Sequence, residues 1–391
     1  MPLPLSRAQP GARLRTLVVS DLHLGAHSGR DLLRRARVRE PLLAQLAGFD
    51  RLVLLGDVLE LRDGPARDVL SAARPVLFEI GDALGAGGEV VIVPGNHDHH
   101  LLHGWLARRA QEVPSPLELE TAVDWRAGEP LAALAAALRP AAVRSCYPGV
   151  WLREDVYALH GHYGDRHTTV PTLERLGAGA MARILPEPPD GPRRPEDYEA
   201  TLSPLYAWLY ALAQARGHEP ARGHEPARGY KQARGSDAVS AQAWSALQGA
   251  RAGGRRRSMR RRGAVAAFPV LVAALNRAGL GPLRADVSGS EVRRAALRAL
   301  HEVLARLRVR APHVIFGHTH RAGPLASDDR SEWLAPAGAL LNTGSWVHEQ
   351  AFFGTRPGES PYRPGFCAVL EGVRAPELIN LLDPLTPRAL A

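Results

Sequence analysis

From Leu14 to about His162, short apolar runs alternate with amphipathic stretches. RTLVVS (15–20), RLVLLG (51–56) and EVVIVPG (89–95) are apolar runs of four to six residues bounded by Gly, Ser or Asp, which predicts buried strands, since they are too short for helices. Residues 30–47 and 65–84 carry helical periodicity between them, so this part of the chain predicts a β-α-β-α-β series. The strand pattern returns after residue 309 in PHVIFGHTH (312–320), GALLNTGSW (338–346), GFCAVLEG (365–372) and PELINLL (376–382). The intervening segment reads differently. Leu202, Leu205, Leu209 and Leu212, and again Leu297, Leu300, Leu304 and Leu307, recur at spacings of three and four residues, a helical signature. Between those two sets lies ARGHEPARGHEPARG (215–229), a six-residue repeat with almost nothing to bury, expected to be a mobile loop. The pattern therefore predicts a flexible N-terminus (1–13), an α/β core made of 14–163 and 310–384, and a mostly helical insertion or cap over 164–309.

Composition narrows the class. With 391 residues, 45% hydrophobic and 23% charged, the chain can bury a sizeable core. Cys146 and Cys367 are the only cysteines, too few for a disulfide scaffold, which predicts a reducing compartment and a fold held by packing. The stretch MPLPLSRAQPGARLR lacks the apolar run of a signal peptide, and no run approaches the ~18 apolar residues of a membrane span. The expected location is cytoplasmic, with peripheral attachment to a membrane left open.

Charge is concentrated. Residues 164–309 hold 24 Lys and Arg against 13 Asp and Glu, so this segment carries +11 of a net +9 and the remainder sums to −2. RRRSMRRR (255–262) is followed by the apolar GAVAAFPVLVAAL, in which Pro269 argues against a long uninterrupted helix. A cation cluster beside an apolar segment suits an anionic lipid or membrane surface. It also suits a nucleic-acid backbone, but no aromatic residues interleave the arginines for base stacking, which places nucleic acid below a small or lipid-linked anionic substrate. A solvated basic loop beside a helix packed on the core is the equal alternative to any such binding role.

The chemistry gathers at strand ends. VVSDLHLGAHSG (18–29) runs from a strand into Asp21 and His23, two potential metal ligands at alternate positions. LLGD ends the second strand at Asp57, PGNHD the third at Asn96 and His97, LHGH a later strand at His160 and His162, and FGHTH another at His318 and His320. In α/β folds, chemistry collects at the carboxyl ends of the strands, where all of these residues fall.

This set of motifs, D-x-H, G-D, G-N-H-D, H-G-H and G-H-T-H, resembles the calcineurin-like metallophosphoesterase superfamily. The resemblance implies a sandwich of two central β-sheets flanked by helices, with the helical segment inserted. It also implies two divalent metal ions, with Asp21, His23 and His320 on the first, Asn96, His160 and His318 on the second, and Asp57 bridging both. Two ions ~3.5–4 Å apart need a bridging anion and can clamp an in-line phosphoryl displacement, with a metal-bridged hydroxide as nucleophile. Asp, His and Asn ligands suit Mn, Fe, Zn or similar ions, and Mn is the first expectation. By the same resemblance His97 is the general acid. Glu60, three residues after Asp57, reads either as the group that orients that imidazole or as a plain surface carboxylate. His162 competes with His160, but the family pattern puts the ligand before the glycine.

Within the superfamily, SDLHLG, GDVLE and GHTHR are similar to the UDP-diacylglucosamine hydrolases, which cleave a pyrophosphate in a lipid-linked nucleotide and carry a helical cap before the final G-H-x-H motif. This chain departs from that branch in carrying His97 where the branch has Arg, and in a longer stretch between His160 and His318. The expectation is a dinuclear phosphoesterase acting on a phosphodiester, pyrophosphate or phosphomonoester. A metal-dependent nuclease is the alternative, followed by a non-catalytic binding scaffold on the same fold.

Overall fold

Alternation along the central strands assigns their two faces. Leu17 and Val19 of β1 (Arg15–Val19), Leu52 and Leu54 of β2 (Arg51–Leu55) and Val90 and Ile92 of β3 (Glu89–Val93) belong to one apolar cluster. Val18, Val53, Leu55, Val91 and Val93, on the opposite face, belong to another. In a computed structural model, residues 14–112, 115–216, 267–336, 338–348 and 357–385 are described. The N-terminal 1–13, nearly all of the repeat at 215–229 and the arginine cluster at 255–262 lie outside them.

The strands form one continuous ladder that bends through a long strand, β5 (Ala142–Arg153). Its first half pairs in parallel with β3, and in antiparallel fashion with β4 (Glu120–Val123). Its second half pairs with β6 (Val156–Leu159). Parallel pairing continues from β6 to β7 (His313–Phe316) and β9 (Gly338–Asn342), with the short β8 (Leu334–Ala335) at that edge. On the other side β1 pairs in parallel with β2, which pairs in parallel with β3, and β10 (Phe366–Glu371) and β11 (Glu377–Asn380) extend the sheet antiparallel beyond β1.

The second apolar cluster explains the bend. It joins Val18, Val53 and Val91 from one half of the ladder to Val150, Val156, Ala158 and Ile315 from the other, so the two halves share a buried interior. Each fully buried aliphatic side chain there stabilises by about 1.5–3 kcal/mol relative to exposure. The other faces are covered by helices: α1 (Ala36–Leu46), α2 (Ala66–Leu84) and, after α3 (His103–Gln111), α4 (Pro130–Ala137) place Leu42, Leu77 and Leu134 in the cluster that holds Leu17 and Leu52. This is the expected α/β sandwich of two central sheets with flanking helices.

Residues 164–309 supply α5 (Leu173–Ile184), α6 (Pro195–Arg216), the helical stretch 267–277 and α8 (Gly289–Arg306), counting 267–277 as α7. Pro269 falls inside the α7 helix. Ser288 caps α8 by accepting from Glu291 N at 3.3 Å, a Ser-x-x-Glu start. Leu297, Leu300 and Leu304 of α8 join the same cluster as Val314 and Phe316 of β7, so this helix packs as part of the core. α6 lies against the turn His99–Leu102 that follows β3, which brings it beside the strand ends. No helix among the described residues is long and apolar enough to cross a membrane.

Candidate metal centre

The loops after β1, β2, β3, β6 and β7 converge. Backbone bonds fix the first two against each other: Asp21 N donates to Gly56 O at 3.1 Å, and His23 N to Asp57 O at 2.8 Å. Asp98 ties the second to the third, its Oδ2 accepting from Val58 N and its Oδ1 from Gly95 N, each at 2.7 Å. Burial and the neighbouring Asp57 charge raise the Asp98 carboxyl to about 6. On the other sheet Gly317 N donates to His160 O at 3.0 Å, and Asn342 Nδ2, from the end of β9, donates to Gly317 O at 3.0 Å.

These loops hold their side chains at a conformational cost. Among the described residues, six non-glycine positions adopt left-handed backbone, and five of them are Asp21, His23, Asp57, His318 and His320, with φ between 45° and 68°. Such a conformation costs about 1–3 kcal/mol per residue and persists where the surroundings dictate it, often at functional sites. Gly56 is under the same constraint with φ of 83°, and a Cβ there would lie 2.1 Å from His160 Nδ1.

Among the described residues three donor groups result; His23, Glu60 and His97 form one at the rim, and the other two adjoin at the ends of the strands. Asp21, His23 and His320 form the first of these two, and Asp57, His160 and His318 the second, each with ligand atoms within 4.8 Å of one another. Asp57 Oδ2 stands between them, 3.2 Å from His160 Nε2 and 3.9 Å from His23 Nε2. Asn96 Oδ1 adjoins the second group at 3.2 Å from His160 Nε2. All seven metal-ligand candidates are thus brought together. His162 is not. Gly161, with φ of 113°, breaks the strand alternation that would have put His160 and His162 on one face, and His162 Nε2 instead meets Tyr147 Oη at 3.1 Å.

The donor chemistry asks for cations. His160 Nδ1 faces the Leu55 carbonyl at 3.0 Å, so in the neutral ring Nδ1 carries the proton and Nε2 presents a lone pair. That lone pair, Asp57 Oδ2 and Asn96 Oδ1 are then all acceptors within contact distance, an arrangement that only a proton or a metal ion relieves. Burial would lower the His160 pKa, but Asp57 and Asp21 outweigh it and raise it to about 9. In the first group His23 Nε2 faces His320 Nε2 at 3.1 Å, and the buried Asp21 Oδ1 has no hydrogen bond of acceptable geometry. Burial pushes the His23 pKa down, which favours the neutral ring a metal requires. The residues fit divalent ions in both groups.

Glu60 organises the rim. Its Oε2 faces His23 Nδ1 at 2.9 Å and accepts from Arg30 Nη2 at 2.7 Å, and its Oε1 faces His97 Nδ1 at 2.8 Å. His97 N donates to Asp57 Oδ1 at 2.8 Å, fixing the residue beside the centre. Asp165, Asp98, Asn342 and Arg62 also belong to the surroundings and were not singled out by sequence. Asp165 Oδ1 lies 2.9 Å from His318 Nε2, leaving Nδ1 for the centre. Asp98 closes the quoted G-N-H-D motif, which was a usable signal; Asp165 sits in HYGD, where nothing in the spacing marks it.

A solved structure of a dimetal phosphatase from Danio rerio aligns over 94% of this chain and 99% of that one, at 11% identity and a TM-score of 0.30, too weak a likeness to carry an argument. No curated protein matches. A family model described as calcineurin-like phosphoesterase matches residues 14–241, more than half of the chain, and the chain belongs to that family of metal-dependent phosphoester hydrolases.

Proposed function

We propose that the protein is a dinuclear metal-dependent hydrolase of phosphodiester, pyrophosphate or phosphomonoester bonds. The observation that carries the reading is the pair of adjoining donor groups with Asp57 Oδ2 between them, 3.2 Å from His160 Nε2 and 3.9 Å from His23 Nε2. Asp21, His23 and His320 would hold one ion, Asn96, His160 and His318 the other, and Asp57 would offset the repulsion between the two. The mixed oxygen and imidazole set suits Mn, Fe or Zn, with Mn the first to test. Bound there, the ions would acidify a water and stabilise the attacking and leaving oxygens of an in-line displacement.

The chain's own residues do the rest. Glu60 holds the Nδ1 proton of His97 at 2.8 Å and so turns Nε2 toward the substrate. From there His97 acts as general acid on the leaving oxygen, a contribution typically worth about 10²–10⁴-fold. Asp165, Leu55 O and Glu60 fix His318, His160 and His23 by their second ring nitrogens, so the ligands are set before any ion arrives.

The test is hydrolysis of bis-p-nitrophenyl phosphate and p-nitrophenyl phosphate with Mn²⁺, with chelator, and with His97→Ala. Turnover that needs metal is expected. His97→Ala should keep metal and lose most rate on alkyl leaving groups, which need protonation more than nitrophenolate does. Turnover unaffected by exhaustive chelation would contradict the proposal.

A further inference from the structure

One buried carboxylate of the inserted segment is bonded to both of the loops that carry Asn96 and His160. Glu199 of α6 is 8% exposed, and its Oε1 accepts from Tyr147 Oη at 2.6 Å and Tyr163 Oη at 2.7 Å. Its Oε2 faces His99 Nε2 at 2.9 Å and accepts from Ser203. His99 stands three residues after Asn96, in the loop after β3. Tyr163 stands three residues after His160, in the loop after β6, and Asp165, the partner of His318 at 2.9 Å, lies in the same turn. Tyr147 reaches that loop as well. Its only proton goes to Glu199, so its oxygen accepts from His162 Nε2 at 3.1 Å. Asp21 and His23 of the first donor group are held instead by Gly56 O, Asp57 O and Glu60.

We propose that Glu199 is a positioning residue for the second metal ion: it sets the spacing of Asn96 and His160, and through it the 164–309 segment controls whether that ion binds. This rests on the dinuclear reading above. β3 and β6 are not paired with each other; the bent strand β5 lies between them, so the carboxylate ties the two halves of the ladder together at their strand ends. An ion that needs both Asn96 and His160 is sensitive to the separation of their loops. Opening that separation would cost His99, Tyr147 and Tyr163 their acceptor, and each of these donors is buried. A satisfied buried network of this kind rigidifies what it joins, as an outer partner of a metal ligand does. Coupling between sites is reciprocal, so binding of the second ion should in turn tighten the docking of α6.

The test is Mn²⁺ titration of the full chain by calorimetry, with electron paramagnetic resonance at one and at two equivalents, in wild type, Glu199→Gln and Glu199→Ala. Gln214→Ala is the control, since Gln214 ties the other end of α6 to the loop after β2, accepting from Ala66 N at 2.9 Å and donating to Gly64 O at 3.2 Å. The melting temperature of each variant shows whether the fold persists. In the Glu199 variants the first ion should bind within about threefold of wild type. The second should bind about 10- to 100-fold more weakly, and the spin-coupled signal of a manganese pair should give way to that of an isolated ion. Glu199→Gln keeps a carbonyl for the two tyrosines and should lose less than Glu199→Ala. Gln214→Ala should keep both ions. Where a Glu199 variant does not fold, the wild type decides: amide exchange in α6 should slow between one and two equivalents. Unchanged affinity for the second ion in a folded Glu199→Ala, equal loss of both ions, the same loss in Gln214→Ala, or α6 exchange indifferent to the second ion would overturn the proposal. A wild type that takes up fewer than two ions would contradict the dinuclear reading itself, and the proposal with it.

Discussion

Glu60 and His97 face each other across 2.8 Å, carboxylate Oε1 to ring Nδ1, in a position where neither is open to solvent. The other carboxylate oxygen holds His23, so one side chain orients both a metal-ligand candidate and the candidate acid. Burial would raise the Glu60 pKa, but His97 and its other partners outweigh it and hold the group well below the usual range, charged at neutral pH.

Glu60→Gln keeps the volume but replaces one acceptor with a donor, so one of the two imidazoles must lose its partner. The expected result is a 10- to 100-fold loss in metal affinity or in turnover, about the effect of removing an outer partner of a metal ligand. Manganese titration and kcat measured side by side check it. Unchanged values for both would show that His23 and His97 are oriented by packing.

Gly56→Ala should damage the centre more than its size suggests. The new Cβ would lie 2.1 Å from His160 Nδ1 and the residue would keep a left-handed backbone at φ of 83°. The backbone part costs about 1–2 kcal/mol, and displacement of the ring adds to it. Metal content and melting temperature of the purified variant check this, and a variant that binds metal and melts like the wild type would refute the close approach.

Glu199 of α6 ties that helix to the core. It faces His99 Nε2 at 2.9 Å and accepts from Tyr147 at 2.6 Å and Tyr163 at 2.7 Å, with a further bond from Ser203. Burial would raise its pKa, but His99 and the hydrogen bonds outweigh that and lower it to about 2. A depressed carboxylate contributes stability that is complete above its unfolded pKa of about 4.3 and is lost as pH falls toward the folded value. The difference corresponds to about 3 kcal/mol. Glu199→Gln should therefore be less stable than wild type at pH 7, with the gap narrowing between pH 4 and pH 2. Urea midpoints at both ends check it, and a constant gap would contradict the assignment.

Much of this architecture was legible from pattern. RTLVVS, RLVLLG and EVVIVPG became β1, β2 and β3 within a residue or two, because a β-branched or leucine-rich run too short for a helix and ended by Ser, Gly or Asp leaves little else to form. The ligand candidates were readable because each closes a strand with a metal-binding side chain. Other features were not readable. β5 contains Pro148 and Gly149 at the bend between its two pairings, residues that locally read as a turn, so its length came from tertiary pairing. The leucine spacing of α8 announced a helix but not that it packs with β7. Asp165 and Arg62 meet distant partners, His318 and His97, which lie 153 and 35 residues away along the chain. No local pattern encodes such meetings.

Whether Asp57 holds two ions together is measured most directly by the metal content of the purified protein, by mass spectrometry after Mn²⁺ loading, wild type against Asp57→Asn. Two equivalents per chain are expected in the wild type, and loss of both, with turnover, in the variant. Two equivalents retained by Asp57→Asn would contradict it.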